Sequence, residues 1–438
     1  MDIKSEASSF SNKIKQSYTA KLIVTFVILL ILMIPQSMVS SLVFERQARS
    51  EEAITEVSDT WSRAQVISGP FLTIPYKVLL NQNDKIVTRT EYAHFMPEVL
   101  DISSKVNPEL RTRGIYEVAV YKSENLLNGE FLYPDFKDLN IDENNIIWNE
   151  ATLNLGLSDV RGIEDLVSVG FGNQKKEFSP GVFNSDVVTS GISTKVDIKG
   201  MAENSIKYSI PLNLKGSDTL QFVPVGKQTT VKMDSTWKDP SFYGAFLPDA
   251  RNISDSGFNA DWKVFHLNRN FPQKWRNEVK TISDSAFGVK LYVPVDQYQK
   301  TERTVKYAVL IILLTFLAFF FLEVTNKFRI HPFQYLLVGL SLILFYSLLL
   351  SISEHINFDY SYVISGLSII TMITLYTKSI FKKPILAAYI SLILLIFYMF
   401  VFVILQMQDY ALLVGNIGLF IVMALVMYLS RKIDWYND

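Results

Sequence analysis

Catalysis needs groups that trade protons, hold metals or attack carbon, and this chain of 438 residues carries few of them. It has no cysteine and four histidines, which excludes a disulfide scaffold, a thiolate metal site and a cysteine nucleophile. His94 and His266 stand in the long middle segment, each without an acidic or histidine neighbour at ligand spacing. Both are expected to be surface or strand residues rather than parts of a triad or metal site. Gly170-Phe171-Gly172 is a fragment of a glycine fingerprint with no helix pattern after it, so it is expected to be a turn. No G-x-S-x-G elbow, Walker loop, H-E-x-x-H or CxxC motif occurs. The expectation is no catalytic residue, no cofactor and no metal.

The remaining polar groups of interest lie in the apolar C-terminal third. Glu323 precedes Lys327 by four residues, so the two can meet on one helix face. His331, Gln334 and Tyr335 surround Pro332 at the start of the next apolar run, where proline suits a first helical turn. Glu354 and His355 close that run, and Arg303 precedes the one before it. An ionisable residue in a membrane points to function by default. All of these sit at helix ends, however, where water reaches them, so anchoring at the interface is the favoured role. Glu354 is expected to pair with Arg303 or Lys306 and to dock the exported domain onto the bundle.

The elements that carry these residues follow from hydropathy. The hydrophobic fraction is 49%, charged residues make up 19%, and mean hydropathy is +0.19. One apolar run covers 22–44, and from 305 to 430 five more follow, near 305–325, 332–351, 360–380, 384–405 and 410–430. Each is about 20 residues, enough to cross about 30 Å of hydrocarbon. A proton-coupled transporter would place acids or broken helices near the midplane. The midplane here carries Ser365, Gly366, Ser368 and Thr371, with Asn416 beside Gly415 and Gly418, small groups suited to close helix packing.

Loop charge sets the orientation. Lys327, Arg329, Lys378, Lys382, Lys383, Arg431 and Lys432 fall in alternate short loops or the tail, whereas 353–359 and 406–409 hold no Lys or Arg. Both termini are thus expected in the cytoplasm. The division is a cytoplasmic segment 1–21, a first span 22–44 kinked near Pro35, a periplasmic β-rich domain 45–304, a five-helix bundle 305–430 and a tail 431–438. The first span is read as an uncleaved anchor, since its apolar stretch exceeds a signal h-region. With 42 basic and 43 acidic residues, net charge −1, nucleic acid is not an expected partner.

Within the middle domain, 45–65 is charged but places Ile54, Val57 and Trp61 at helical spacing, which continues the first helix. Period two then takes over. Ile206, Tyr208, Ile210, Leu212 and Leu214 alternate with polar residues, Gly216-Ser217-Asp218 turns the chain, and Leu220, Phe222, Val231 and Met233 follow. Tyr116, Val118 and Val120 alternate likewise, as do Val196 and Ile198. This pattern predicts an antiparallel β sandwich or a related β-rich domain. Trp237, Phe242, Phe246 and Leu247, set among prolines, are expected to pack a loop against its core.

Pro294-Val295-Asp296-Gln297-Tyr298, Thr301-Glu302-Arg303 and Lys306-Tyr307 lead into Phe319-Phe320-Phe321-Leu322-Glu323. His331-Pro332-Phe333-Gln334-Tyr335 through Gly339, Leu344-Phe345-Tyr346 and Leu348 through His355 follow. These stretches resemble the CreD family of bacterial inner-membrane proteins. Gly69-Pro70, Ile74-Pro75-Tyr76, and Trp237 with Pro240-Ser241-Phe242, Gly244 and Phe246-Leu247-Pro248 resemble its outer domain. The family pattern often has a histidine before Pro-Ser-Phe, where this chain has Asp239. The resemblance implies an inner-membrane protein tied to envelope integrity and to tolerance of colicins and cell-wall antibiotics, produced in response to carbon-source sensing. It implies no reaction. The expected function is therefore non-catalytic, with the lipid bilayer and other envelope proteins as partners. The alternative is a transporter or membrane-embedded enzyme with its site among spans two to six.

Overall fold

The computed structural model describes residues 18–82, 85–199, 205–292, 296–326, 328–407 and 410–431. Lys13, Lys15, Pro294, Val295, Lys327 and Lys432 lie outside these. The chain divides into two compact units, one of residues 1–51 with 295–438 and one of residues 52–294.

The first unit is helical. Helix α1 runs Tyr18–Trp61 and is helical throughout, Pro35 included. After α2 (Asp296–Lys306) come α3 (Ala308–Asn326), α4 (Pro332–Ser353), α5 (Phe358–Phe381), α6 (Pro384–Gln406) and α7 (Ala411–Ser430). Six helices, α1 and α3 to α7, are long and apolar enough to cross a membrane. Their outward faces carry large apolar side chains such as Ile34, Leu375, Leu412 and Phe420, each more than half exposed. Water would not tolerate so continuous an apolar surface, and lipid does. Where a span was expected to begin at Val305, the chain instead forms the separate, polar α2 and breaks at Tyr307.

The second unit is β-rich. It holds a nine-stranded and an eight-stranded sheet whose inward residues form one buried core. Trp262 of the strand Gly257–Phe265 meets Phe287 of Phe287–Leu291 at 5.6 Å between ring centroids, so the two sheets share that core. The period-two reading of 206–214 holds, since these five alternate positions are buried in Ser205–Ser217. Two features differ from an antiparallel sandwich. Gln65–Ser68 pairs parallel to Leu220–Val223, and Val99–Val106 parallel to Gln228–Ser235. Asp218 adopts φ 62°, and the chain there passes from one sheet into the other instead of closing a hairpin. Alternation fixes which face is buried, but carries no information on strand direction. Val196 and Ile198 are buried just beyond the strand Gly191–Lys195.

Trp237, Phe242 and Phe246 pack against the core as expected. Leu247 does not, being 66% exposed; Phe246 takes the inward position against Phe287 at 5.8 Å, and its chain neighbour turns outward.

The last turns of α1, from residue 52 to 61, belong to the second unit, where polar contacts hold them to its strands. Trp61 lies under the Arg111 guanidinium at 3.8 Å and Arg113 forks onto Glu56 at 2.5 and 3.1 Å. The buried carboxylate of Asp159 accepts hydrogen bonds from the Arg63 amide at 3.0 Å, the Ser62 hydroxyl at 3.3 Å, and the Arg161 guanidinium at 2.8 and 2.9 Å.

Candidate functional site

At one end of the helical unit, Glu323 is 2% exposed and every oxygen is engaged. Its Oε1 accepts from Lys21 Nζ at 2.7 Å and from the Ile330 amide at 3.0 Å; its Oε2 accepts from the Tyr335 hydroxyl at 3.1 Å. Tyr335 is held edge-on against Phe316 at 5.4 Å. His331 and Gln334 serve the start of α4. The Phe333 amide donates to His331 Nδ1 at 3.2 Å, and the His331 amide donates to Gln334 Oε1 at 2.9 Å, a reciprocal cap with Pro332 in the first turn. The structure thus ties α1, α3 and α4 through Glu323. Its expected partner Lys327 lies outside the described residues, and Lys21, 302 residues away in sequence, occupies the carboxylate.

Glu354 stands at the other end of α4. Its Oε1 lies 3.6 Å from Arg46 Nε of α1 and 3.4 Å from the Tyr298 hydroxyl of α2. The expected partners Arg303 and Lys306 are not the ones used. Tyr298, Thr301 and Val305 form the buried face of α2, which turns Arg303 and Lys306 outward; Lys306 pairs with Glu302 at 2.8 Å instead. His355 is exposed. The sequence candidates therefore split into a Glu323–Tyr335 lock flanked by the His331–Gln334 cap, a separate Glu354 brace, and an exposed position at Arg303.

The β unit holds a grouping that the sequence did not suggest. His94, expected on the surface or on a strand, lies on the strand Lys85–Phe95 and is fully buried. Its Nδ1 lies 3.1 Å from Thr73 Oγ1 and its Nε2 3.4 Å from Asp186 Oδ2. An acid, a histidine and a hydroxyl in line have the outline of a nucleophilic triad. Thr73 is 1% exposed, however, and its hydroxyl also accepts from Asn154 Nδ2 at 3.0 Å, so no substrate carbon reaches it. The grouping instead holds a wall: the Asp186 carbonyl accepts from the Lys280 amide at 3.0 Å, joining two segments that bound an open cleft of about 480 Å³. Ser68, Ser185, Thr189, Ser190, Thr281 and Ser283 line it with Lys280, and none of those six hydroxyls is hydrogen-bonded among the described residues. Such a lining can take hydroxyl, amide or carboxylate groups of a ligand. A link of 92 residues between His94 and Asp186 leaves no local signal to find it by.

Burial pushes the His94 imidazole below its ordinary value, against the pull of Asp186. The unfolded chain thus takes up the proton first as pH falls. Stability from a neutral His94 is complete above about pH 7 and is lost as pH drops below about 6.5 toward the folded value, with a limiting slope of about 1.4 kcal/mol per pH unit. Urea unfolding of the full chain, followed by tryptophan fluorescence between pH 7.5 and 5, should show this slope, and His94→Gln should flatten it. An equal slope in both proteins would remove His94 as its source.

Comparison with known proteins covers almost the whole chain. The family described as inner membrane protein CreD matches residues 17–436. The inner membrane protein CreD of Escherichia coli (strain K12) is 33% identical over 413 residues, which span 93% of this chain and 91% of that protein.

Proposed function

We propose that this chain, which belongs to the CreD family of inner membrane proteins, acts without catalysis by receiving envelope material in the cleft of its β unit. Both termini lie in the cytoplasm on this reading and the β unit lies in the periplasm, as the Lys and Arg of alternate short loops support. The observation that carries the reading is the cleft itself: a roomy, open depression with six Ser and Thr hydroxyls that make no hydrogen bond among the described residues, and with walls held by Asp186. Against a transporter built on the membrane acids stands their engagement. Glu323 is occupied by Lys21, Tyr335 and the Ile330 amide, and Glu354 by Arg46 and Tyr298, so each serves to hold helices together.

Filling the cleft tests this. Ser283 is exposed at its rim, so Ser283→Trp should leave the melting temperature unchanged while cells carrying it lose envelope protection as fully as cells lacking the protein. Full protection by a correctly folded Ser283→Trp protein would refute the cleft as the working surface.

A further inference from the structure

Part of the helical unit is polar in a way that the sequence pattern concealed. The hydroxyls of Tyr346 in α4, Ser365 in α5 and Tyr398 in α6 are buried and have no hydrogen-bond partner among the described residues. Tyr346 and Ser365 are wholly buried and Tyr398 is 3% exposed. The three tyrosines of this region gather round one ring: Phe345 lies 4.9 Å from Tyr346, 5.3 Å from Tyr362 and 4.6 Å from Tyr398. Tyr362, unlike its neighbours, is satisfied, donating to the Tyr398 carbonyl at 2.8 Å. Ser365 lies one helical turn beyond Tyr362 on the same face of α5.

The residues that carry them also start from a similar depth in their helices. Tyr346 and Ser365 are each seven residues from the helix end on the Glu354 side and Tyr398 is eight from its end, which puts all three about 10–12 Å in from those ends. A buried hydroxyl left unpaired is costly, and more so where no bulk water stands by. Three starting from a similar depth is more than close packing alone explains. A second observation points the same way. Gly366 is buried, yet a methyl group built on it would meet no atom within 4 Å. A buried position with a methyl-sized clearance, next in the chain to the Ser365 hydroxyl that can both donate and accept, has the room that an internal water requires.

We infer that Tyr346, Ser365 and Tyr398 form an internal site within the helix bundle for a neutral hydrogen-bonding molecule, occupied by water in the resting protein. The named groups are hydroxyls without formal charge, so the site selects for hydrogen bonding and not for charge. It shares no residue with the Glu323 lock or with the cleft of the β unit, and it does not depend on the function proposed above.

The experiment is radiolytic hydroxyl-radical footprinting of the full-length protein in lipid nanodiscs prepared in ¹⁸O-water, read by mass spectrometry. Bound water should place label on Tyr346 and Tyr398 despite their burial, while Phe316 and Leu342, equally buried, stay unlabelled. Label absent from both tyrosines would overturn the inference. The sign of a stability change gives a second reading. If water pairs these hydroxyls, Tyr346→Phe and Tyr398→Phe should each lower the melting temperature, by about 2–4 °C for the loss of a single net hydrogen bond. A melting temperature unchanged or raised in both would mean that the hydroxyls are unpaired in the protein and would equally overturn it.

Discussion

Replacing Glu323 with alanine should destabilise the helical unit by about 3–5 kcal/mol, the range for breaking a buried charge pair. The loss falls on several groups at once. Lys21 Nζ, the Tyr335 hydroxyl and the Ile330 amide all donate to this carboxylate, and no alanine atom replaces it. Lys21 is 27% exposed, so it recovers some solvation and the lower half of the range is the better expectation. Glu323→Gln keeps an acceptor for one donor and should lose less. Thermal unfolding of the full chain in detergent gives the magnitude, and a double-mutant cycle with Lys21→Met isolates the ion pair. A Glu323→Ala protein within about 0.5 kcal/mol of the parent would show that the lock contributes nothing beyond a surface pair.

The Asp159 network of the β unit should be nearly as sensitive. Asp159→Ala removes the shared acceptor for Ser62, the Arg63 amide and Arg161, with an expected loss of about 2–4 kcal/mol for a buried, charge-assisted network. Half of the Arg161 side chain is exposed, which keeps the figure below that of a fully buried pair. The hydrogen bonds from Arg161 hold the Asp159 carboxyl well below the usual carboxylate range. Its folded pKa is thus depressed, so its stabilisation is present above about pH 4 and is lost as pH falls below that toward the folded value. Unfolding of Asp159→Asn should show less acid dependence below pH 4 than the parent. Identical acid profiles would assign that dependence elsewhere.

What could be read from sequence followed physical range. Six apolar helices and the inward face of Ser205–Ser217 rest on patterns within a few tens of residues, where hydropathy and side-chain alternation act directly. The start of α4 was likewise local, signalled by Pro332, whereas the reciprocal cap of His331 and Gln334 came only with the structure. The Lys21–Glu323 and His94–Asp186 contacts join residues 302 and 92 apart, and no spacing rule reaches so far. The choice of Arg46 over Arg303 for Glu354 depended on which face of α2 is buried, which became visible only with Tyr298 and Thr301 in place. Ser365 was legible as a small residue suited to packing, but its buried, unpartnered hydroxyl was not, since burial depends on which face of α5 meets the other helices.

The absence of native cysteine makes one measurement especially direct for the claim that the β unit faces the periplasm and takes envelope material in its cleft. Single-cysteine proteins Thr189→Cys, in the cleft, and Leu166→Cys, 89% exposed elsewhere on the unit, would be treated with a membrane-impermeant maleimide in cells with a permeabilised outer membrane and again after purification. Both should label in cells, and Thr189→Cys alone should label more slowly there than when purified. Labelling of either only after lysis, or equal cellular and purified rates at Thr189→Cys, would contradict it.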